Sequence, residues 1–227
     1  MGKPELLELL AFNLGPLHIG ATVLTTWLLM AVLTVIAWLG TRRISLDAPS
    51  RLQTALEGTV LALQAAIEDS ASGHARRLLP FVGTLWLFIG TANLAGLVPG
   101  LRSPTSDLSL TVALALLVFA SVHWFGIRIV GFRTYLRHYL DPNPILLPFH
   151  LLGEVTRTLA LAVRLFGNMM SLEMAALLVL MVAGFLAPVP LLMLHIIEAL
   201  VQAYIFGTLA LVYVAGALQS HELNKKE

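Results

Sequence analysis

The stretch that decides the fold is residues 145–187, ILLPFHLLGEVTRTLALAVRLFGNMMSLEMAALLVLMVAGFLA. It stays compatible with a helix for over forty residues. At 1.5 Å per residue such a helix would be roughly 65 Å long, about twice the thickness of the hydrocarbon core of a bilayer. The stretch therefore either breaks or forms a strongly tilted helix whose polar groups are covered by protein or water. Its charged residues favour the tilted helix; they are Glu154, Arg157, Arg164 and Glu173.

The composition of the whole chain is that of an integral membrane protein. Hydrophobic residues make up 58% of the 227 residues and charged residues 12%, and the mean hydropathy is +0.85, far from the balance of a soluble domain. The chain has no cysteine, which excludes a disulfide framework and a Cys-based metal or redox site. The net charge of +1 and the scattered arginines give no basic surface for nucleic acid.

Three further uncharged stretches are long enough to cross a membrane as helices. They are residues 18–40, about 78–98 and about 108–127, and the polar turn PGLRSPTSD makes the last two a helical hairpin. The connection between the first two, residues 41–77, contains LQTALEGTVLALQAAIEDS. Its apolar residues recur at roughly helical spacing, which predicts an amphipathic helix on the cytoplasmic membrane surface.

The end of the chain predicts a second long helix. The sequence APVP at residues 187–190 predicts a turn, and the helix after it reaches about Ser220. A tight turn joins two such helices as an antiparallel hairpin. The predicted fold is therefore all-α, with about five membrane helices and one surface helix in a single membrane domain over residues 1–227. Its last two helices, within residues 145–220, are long and strongly tilted.

Basic residues are concentrated on one side of these spans. Ten lie on that side, against Lys3 and Arg102 on the other. Because positively charged loops resist translocation, the basic side should be cytoplasmic, which places the N-terminus outside and the C-terminus inside. The ten residues are Arg42, Arg43, Arg51, Arg76, Arg77, Arg128, Arg133, Arg137, Lys225 and Lys226.

Polar residues form stripes on both long helices. At about 100° per residue, three polar residues of the last helix fall within a stripe of about 60°. On the preceding helix, side chains separated by seven and by four residues come nearly into line, whereas Glu173 is half a turn out of phase. The two stripes, which can approach each other in a hairpin, are Arg157, Arg164 and Asn168 on the first helix and His195, Glu198 and Gln202 on the second.

These charges have a functional and a structural interpretation. A charge at the centre of a membrane costs about 2.5–3.5 kcal/mol even on lenient insertion scales, and such residues usually mark ion pathways, relays or paired sites. Structurally, Glu154 and Arg157 could neutralise each other across one turn, and Arg164 could pair with Glu198 across the hairpin. His195 alone would more often be a packed histidine, but its place on the polar stripe favours a relay.

Two segments of the hairpin closely resemble the membrane-embedded a subunit of bacterial rotary F-type ATP synthases. They are LALAVRLFGNMMSLE at residues 159–173 and HIIEALVQAYIFGTLALVY at residues 195–213, and NLAGLVPG at residues 93–100 and PTSDLSLTVALAL at residues 104–116 also fit the family. The resemblance implies the stator half of an ion channel in the bacterial plasma membrane. The partners implied are the c-subunit ring and b-type peripheral stalk subunits. The subunit would move H⁺ or Na⁺ without a cofactor and would not be catalytic alone.

The resemblance also implies roles for single residues. Arg164 in RLFGN would be the essential arginine that faces the ion-binding carboxylate of the ring, and the tilted hairpin would line two aqueous half-channels. Gln202 would lie close to this arginine. The other residues of the ion pathway would be Asn168, Glu173 and His195, and the stripe geometry extends the same role to Glu198.

Three departures from the family pattern bear on the half-channels. Thr158 stands where many relatives have proline, and His150 stands where an acidic residue is common. The cytoplasmic half-channel is therefore expected to be lined differently, with Glu154, Arg157 and His150 as its candidate residues. Asp107, where relatives often have a neutral residue, adds a negative charge near the external mouth. It could attract cations or simply be solvated, and solvation is favoured because loop charges usually are solvated.

Two other classes of protein compete with this interpretation. A self-contained secondary transporter or channel could use the same arginine and carboxylates, but the paired half-repeats of many transporters are not evident in the sequence. An intramembrane metalloenzyme using His195 and Glu198 is weaker, because HIIE lacks the second histidine of a His-Glu-x-x-His motif. Copurification with a c-ring and a peripheral stalk would separate the three classes.

Overall fold

The structure is a computed structural model that describes most of the chain. The described residues are 12–14, 17–42, 44, 50–70, 73, 75–98, 101–131, 147–184, 187 and 189–223. Several residues used in the charge argument lie outside these ranges, namely Lys3, Arg43, Arg133, Arg137, Lys225 and Lys226. The predicted side of the membrane on which each of them lies therefore stays a prediction.

The described chain begins with a short ribbon and a peripheral helix. Strands β1 (Phe12–Leu14) and β2 (Leu17–Ile19) pair antiparallel, a small addition to the predicted all-α fold. Helix α1 (Ala21–Thr41) follows and matches the first predicted span. Most of its apolar side chains are exposed, as expected for a helix with lipid around much of its circumference.

The predicted surface helix and the first hairpin are both present. Helix α2 (Arg51–Ser70) packs against α3 (Ala75–Ala95), with Ile67 buried between them. A 3₁₀ turn (Pro104–Ser106) leads from α3 into α4 (Leu108–Val130). Packing against α3 accounts for one face of α2, and the position of α2 at the membrane surface stays a prediction.

The long stretch forms one unbroken helix. Helix α5 (Leu147–Ala183) has 37 residues and is about 55 Å long, so the alternative of a broken helix is wrong. Gly184, with a φ of +83°, ends it in the left-handed region that favours glycine, and α6 (Val189–Leu223) follows. Five described helices, α1 and α3–α6, are long and apolar enough to cross a membrane, which confirms the predicted number. The tilt of α5 in the bilayer stays a prediction.

Helices α3 and α4 are the main packing partners of the long pair. Helix α6 packs chiefly on α3, and α5 packs chiefly on α4, while α5 and α6 touch each other less extensively. The four helices share an apolar core, which consists of Leu85, Ile89, Leu114, Ala115, Val118, Leu161, Ala162, Leu165, Ala203, Phe206 and Ala210. The long helices are therefore held by the first hairpin as much as by each other.

One close approach fixes α3 against α6. The indole Nε1 of Trp86 donates a hydrogen bond to the carbonyl of Tyr204 at 3.1 Å, and the rings of these two residues stack with centroids 6.0 Å apart. The indole lies directly over Gly207, where a Cβ atom would collide with it. A residue without a side chain is therefore required where the two helices meet.

Candidate functional site

Arg164 lies near the middle of α5 and is exposed. Among the residues that the structure describes, its guanidinium has no hydrogen-bond or ion-pair partner. In particular, Arg164 does not form the ion pair with Glu198 that was the structural alternative. A permanently charged group on a largely apolar helix that is left without a local partner is available to a partner on another chain.

The polar stripes of α5 and α6 meet one turn beyond Arg164. Asn168 Nδ2 donates a hydrogen bond to Gln202 Oε1 at 2.8 Å. Gln202 is only 2% exposed, and its Nε2 donor is buried with no acceptor within the described part of the chain. Because an unsatisfied buried donor is costly, this amide is suited to a water molecule or an incoming acceptor. The structure thus brings together two of the residues placed near the arginine by the sequence.

A buried polar network lies toward the α5–α6 turn. The backbone N–H of Ser103 donates to Glu173 Oε1 at 3.1 Å, and the Ser103 and Thr105 hydroxyls are 2.7 Å apart. Thr105 donates to Asn93 Oδ1 at 2.6 Å, while Ser103 also donates to a backbone carbonyl of α3. Thr105 uses its hydroxyl proton on Asn93. The Ser103 hydroxyl proton can therefore point either to the backbone carbonyl of α3 or to the Thr105 oxygen.

His195 joins the same network from α6. Its Nε2 lies 3.3 Å from the carbonyl of Asn93, and Asn93 Nδ2 donates to the carbonyl of Ala199 at 3.1 Å. Because a carbonyl oxygen only accepts, His195 Nε2 carries the proton of this contact, and in the neutral ring Nδ1 is the proton acceptor. The structure therefore links Glu173 and His195, predicted to share one path, through Ser103, Thr105 and Asn93.

The sequence predicted no role in the ion pathway for Ser103, Thr105 or Asn93. Asn93 lies in NLAGLVPG, which was noted as a match to a family, and Ser103 and Thr105 lie in the polar turn PGLRSPTSD. Asn93 bonds to a residue 106 positions away and Ser103 to one 70 positions away. Local periodicity carries no information about such distant partners. An asparagine within an apolar span was nevertheless a signal that its side chain needs a hydrogen-bond partner.

A second polar group lies toward the other end of α5. Glu154 Oε2 is 3.4 Å from Nε2 of His123 on α4. Arg157 instead places its guanidinium over the ring of Tyr213 on α6, 5.7 Å from the centroid, so the alternative of a simple Glu154–Arg157 pair is not what the structure shows. His150, one turn before Glu154, is exposed.

Thr158 and Glu198 complete the predicted set. The Thr158 hydroxyl donates to the carbonyl of Glu154 at 2.9 Å, a bond that proline at this position could not make. Glu198 is half-buried, and its side chain has no hydrogen-bond or ion-pair partner among the described residues. The structure therefore gives Glu198 a place beside His195 but no contact that joins it to the network.

Asp107 differs from its expected solvated state. It caps α4 by accepting hydrogen bonds from the backbone N–H and the hydroxyl of Ser109 at 2.9 and 2.7 Å, and it accepts a third from Thr22 of α1 at 2.9 Å. Burial acts to raise the pKa of Asp107, but the hydrogen bonds from Ser109 and Thr22 outweigh burial and lower that pKa. The expectation that it is simply solvated is wrong, because Asp107 is a helix cap that ties α1 to α4.

No group of three His, Asp or Glu side chains able to hold a metal ion occurs within the described ranges. The arrangement is instead one fixed cation, Arg164, between two separate groups of titratable side chains. Side chains of these types can take up and release protons.

Comparison with known proteins gives a consistent result. The family described as ATP synthase A chain matches residues 23–215. The chain is 67% identical over 214 residues to ATP synthase subunit a 2 of Pelobacter propionicus, covering 94% of this chain and 93% of that protein. It is 65% identical to ATP synthase subunit a 1 of Hahella chejuensis over 91% of this chain and 88% of that protein. It is 54% identical to ATP synthase subunit a of Legionella pneumophila over 100% and 98%.

Proposed function

This chain belongs to the ATP synthase A chain family, and from that premise we propose that it is the stator a subunit of a rotary F-type ATP synthase. In this role it couples ion flow to rotation of a ring of c subunits, and so to ATP synthesis or hydrolysis. It is a multi-pass membrane component of the complex. We also propose that it has no catalytic activity alone and that b-type peripheral stalk subunits hold it against the ring.

The observation that carries the proposal is the arrangement of polar groups along α5. Glu154 lies ten residues before Arg164 and Glu173 nine residues after it, which is about 15 Å and about 14 Å along the helix axis. Between the two polar groups, at the level of Arg164, the four helices form the apolar core described above. Two half-channels require two polar paths that each end at an apolar layer, because ions must then cross that layer on the ring.

Electrostatics explains why the fixed group is an arginine. A ring carboxylate carrying its ion is neutral and can face lipid, whereas beside Arg164 the ionised carboxylate is favoured and the ion is released. Arginine stays protonated even when desolvated. Its charge also repels a cation that would pass directly between the half-channels through the low-dielectric layer.

The network around His195 suits the external half-channel. Glu173 and the free Nδ1 of His195 can each accept a proton, and Ser103 and Thr105 hold hydroxyl protons between them. The Gln202 amide, with its buried unsatisfied donor, lies between this network and the arginine face of α5. Protons would thus move from Glu173 and His195, by way of water at Gln202, to the ring.

The face of α5 beside Arg164 suits close contact with a ring helix. Small residues recur there at spacings of seven and four, and no neighbouring atom fills the space where Gly153 or Gly167 would carry a Cβ. Small residues let two membrane helices approach closely. We therefore place the ring against the face formed by Gly153, Ala160, Gly167 and Ser171.

Two tryptophan–arginine contacts support the proposed orientation in the bacterial inner membrane. At the end of α1 the Arg42 guanidinium lies 4.7 Å from the ring centroid of Trp38, and at the end of α4 Arg128 lies 5.2 Å from that of Trp124. Both tryptophans are exposed. Tryptophan at the headgroup level and arginine beyond it are typical of the cytoplasmic boundary of membrane helices.

The transported ion is not encoded in this chain, because the binding carboxylate and its other ligands would lie on the c subunit. Protection of that carboxylate from a modifying reagent by sodium would identify Na⁺, and lack of protection would identify H⁺. The titratable groups Glu173 and His195 favour H⁺.

The test of the proposed function is the Arg164→Ala variant of the intact complex in inverted membrane vesicles. We expect ATP-driven acidification to fall to background and passive ion conduction to rise, because the barrier between the half-channels has lost its charge. Arg51→Ala, which removes an exposed arginine from α2, should pump like the parent. Normal coupled pumping by Arg164→Ala would contradict the role given to the arginine. Ion transport by this chain alone in liposomes, unchanged by Arg164→Ala, would show a self-contained transporter instead.

A further inference from the structure

His123 and Glu154 form a contact that neither the sequence nor the half-channel scheme requires. His123 is in the last third of α4 and Glu154 is in the first third of α5, and both side chains are largely buried. Glu154 Oε2 is shielded from solvent and lies 3.4 Å from His123 Nε2. The other ring nitrogen of the histidine, Nδ1, lies 2.9 Å from the carbonyl of Phe119.

The contact with Phe119 fixes one proton of His123. A carbonyl oxygen only accepts hydrogen bonds, so Nδ1 carries a proton that it donates to Phe119. The other nitrogen, Nε2, then faces Glu154 Oε2 at 3.4 Å. An imidazolium can give a proton to a carboxylate across such a contact, and a protonated carboxyl can give one to a neutral histidine.

The position of the pair suits proton exchange on one side of the membrane. It lies on the opposite side of Arg164 from the network of Glu173 and His195, at the end of α4 that the basic residues predict to be cytoplasmic. The charged and titratable neighbours nearest in sequence are His150 and Arg157 on α5 and Arg128 on α4. Arg128 lies over Trp124 and Arg157 over Tyr213 on α6.

We propose that His123 and Glu154 are the proton-exchange pair of the cytoplasmic half-channel. During ATP-driven pumping the pair passes its shared proton toward the ring carboxylate and takes a replacement from the cytoplasm, and during synthesis the order reverses. One proton enters for each that leaves, so no other reactant is needed. This inference rests on the proposed stator function with H⁺ as the transported ion, and it adds His123 to the ion pathway.

The competing explanation is that the pair only ties α4 to α5. A buried pair of this kind can often be replaced by apolar residues of similar volume without loss of stability. A structural tie would therefore survive the double replacement His123→Leu/Glu154→Leu, whereas a proton-exchange pair would not. The two explanations differ in proton movement and not in assembly.

The experiment uses the intact complex in inverted vesicles, with assembly checked by copurification of the other subunits. Glu154→Gln and His123→Gln keep nearly the same volume, and we expect each to slow ATP-driven acidification by roughly tenfold. A tenfold slowing is smaller than the rate factor that a positioned acid or base usually contributes, because rotation of the ring also limits the parental rate. The double leucine variant should be slowed to a similar extent, because the two residues act as one unit. Glu154→Asp, which retains a carboxylate, should recover part of the rate.

Two controls separate this inference from the proposed function. Glu57→Gln removes a carboxylate from the exposed side of α2 and should pump at the parental rate. Passive proton conduction, measured after the catalytic head has been stripped, should be lowered by both Gln variants but not by this control. Parental pumping by either Gln variant, or by the double leucine variant, would overturn the pair's role while leaving the proposed function intact. Ion transport by this chain alone in liposomes, unchanged by Arg164→Ala, would overturn the proposed function itself.

Discussion

At the residue scale, the histidines on either side of Arg164 are each held by a contact that fixes which ring nitrogen carries a proton. His195 donates from Nε2 to Asn93, which leaves Nδ1 to accept. His123 donates from Nδ1 to Phe119, which turns Nε2 toward Glu154. In both histidines one nitrogen is held by a backbone carbonyl, which fixes the orientation of the other. This is the arrangement expected of a relay residue with a fixed tautomer.

Replacing either titratable member of the external network should impair loading of the ring without unfolding the subunit. We expect Glu173→Leu and His195→Leu to lower ATP-driven pumping in inverted vesicles strongly, with the complex still assembled, because neither residue belongs to the apolar core. Glu173→Gln is the matched control, since it keeps an acceptor for the Ser103 N–H but cannot exchange protons. Normal pumping by both leucine variants would exclude this role.

Asp107 gives a prediction about stability and pH. Removing the cap with Asp107→Ala should lower the free energy of unfolding by about 1 kcal/mol at neutral pH. Because the folded-state pKa lies below the ordinary value of 3.8, the ionised cap stabilises fully above that value. The stabilisation is lost as the pH falls through the lower, folded-state pKa.

Thermal unfolding of the detergent-solubilised complex at several pH values measures this effect. The parent and Asp107→Ala should differ at pH 7 and converge in strong acid. Asp107→Asn, which retains an N-cap side chain, should lie closer to the parent at pH 7. A difference between the parent and the alanine variant that does not change with pH would contradict the assignment of the cap to the ionised carboxylate.

The roles of single residues were only partly predictable from the sequence. The charge and spacing of Arg164, Asn168 and Gln202 were sufficient to predict facing stripes, because helix periodicity is a local property. Asn93 and Ser103 could not be placed, since their partners are many tens of residues away. The approach of Glu154 to His123 was not predictable either, because the two residues lie on different helices.

At the element scale, the two long helices depend on the hairpin of α3 and α4. The sequence predicted that α5 and α6 would be antiparallel neighbours, because a short turn joins them. It did not predict that α6 packs mainly on α3 and that α5 packs mainly on α4. Apolar periodicity shows which face of a helix is buried but not which helix covers it, and most faces in a membrane are apolar.

The contact of Trp86 with Gly207 gives a prediction for the α3–α6 interface. Gly207→Ala places a methyl group where the indole lies, so we expect the free energy of unfolding to fall by about 1–3 kcal/mol, as for other overpacked cores. Thermal unfolding of the complex would measure this loss.

The matched control is Gly216→Ala on the same helix, where the added Cβ meets no atom within 4 Å. This change should be neutral or should stabilise α6 slightly, because alanine favours a helix more than glycine. The double variant Trp86→Phe/Gly207→Ala should recover part of the loss by making room for the methyl group. Equal stability of the two alanine variants would show that the indole is not held against Gly207.

At the scale of the whole molecule, composition and span length were enough to predict an all-α membrane protein with five long helices. An unbroken α5 was one of the two predicted alternatives, and its only proline, Pro148, lies in the first turn, where proline is tolerated. The separation of two polar groups by an apolar core at the level of Arg164 was not predictable, since it depends on four helices meeting at one level. That separation is the feature on which the proposed mechanism rests.

Side-specific labelling of introduced cysteines in the assembled complex tests this separation, and the cysteine-free chain is suited to it. Glu173→Cys should react with a membrane-impermeant thiol reagent only from the external side, and Glu154→Cys only from the cytoplasmic side. Each cysteine would then lie in a half-channel that ends at Arg164. Reaction of either cysteine from both sides of the membrane, or of both from the same side, would contradict the account.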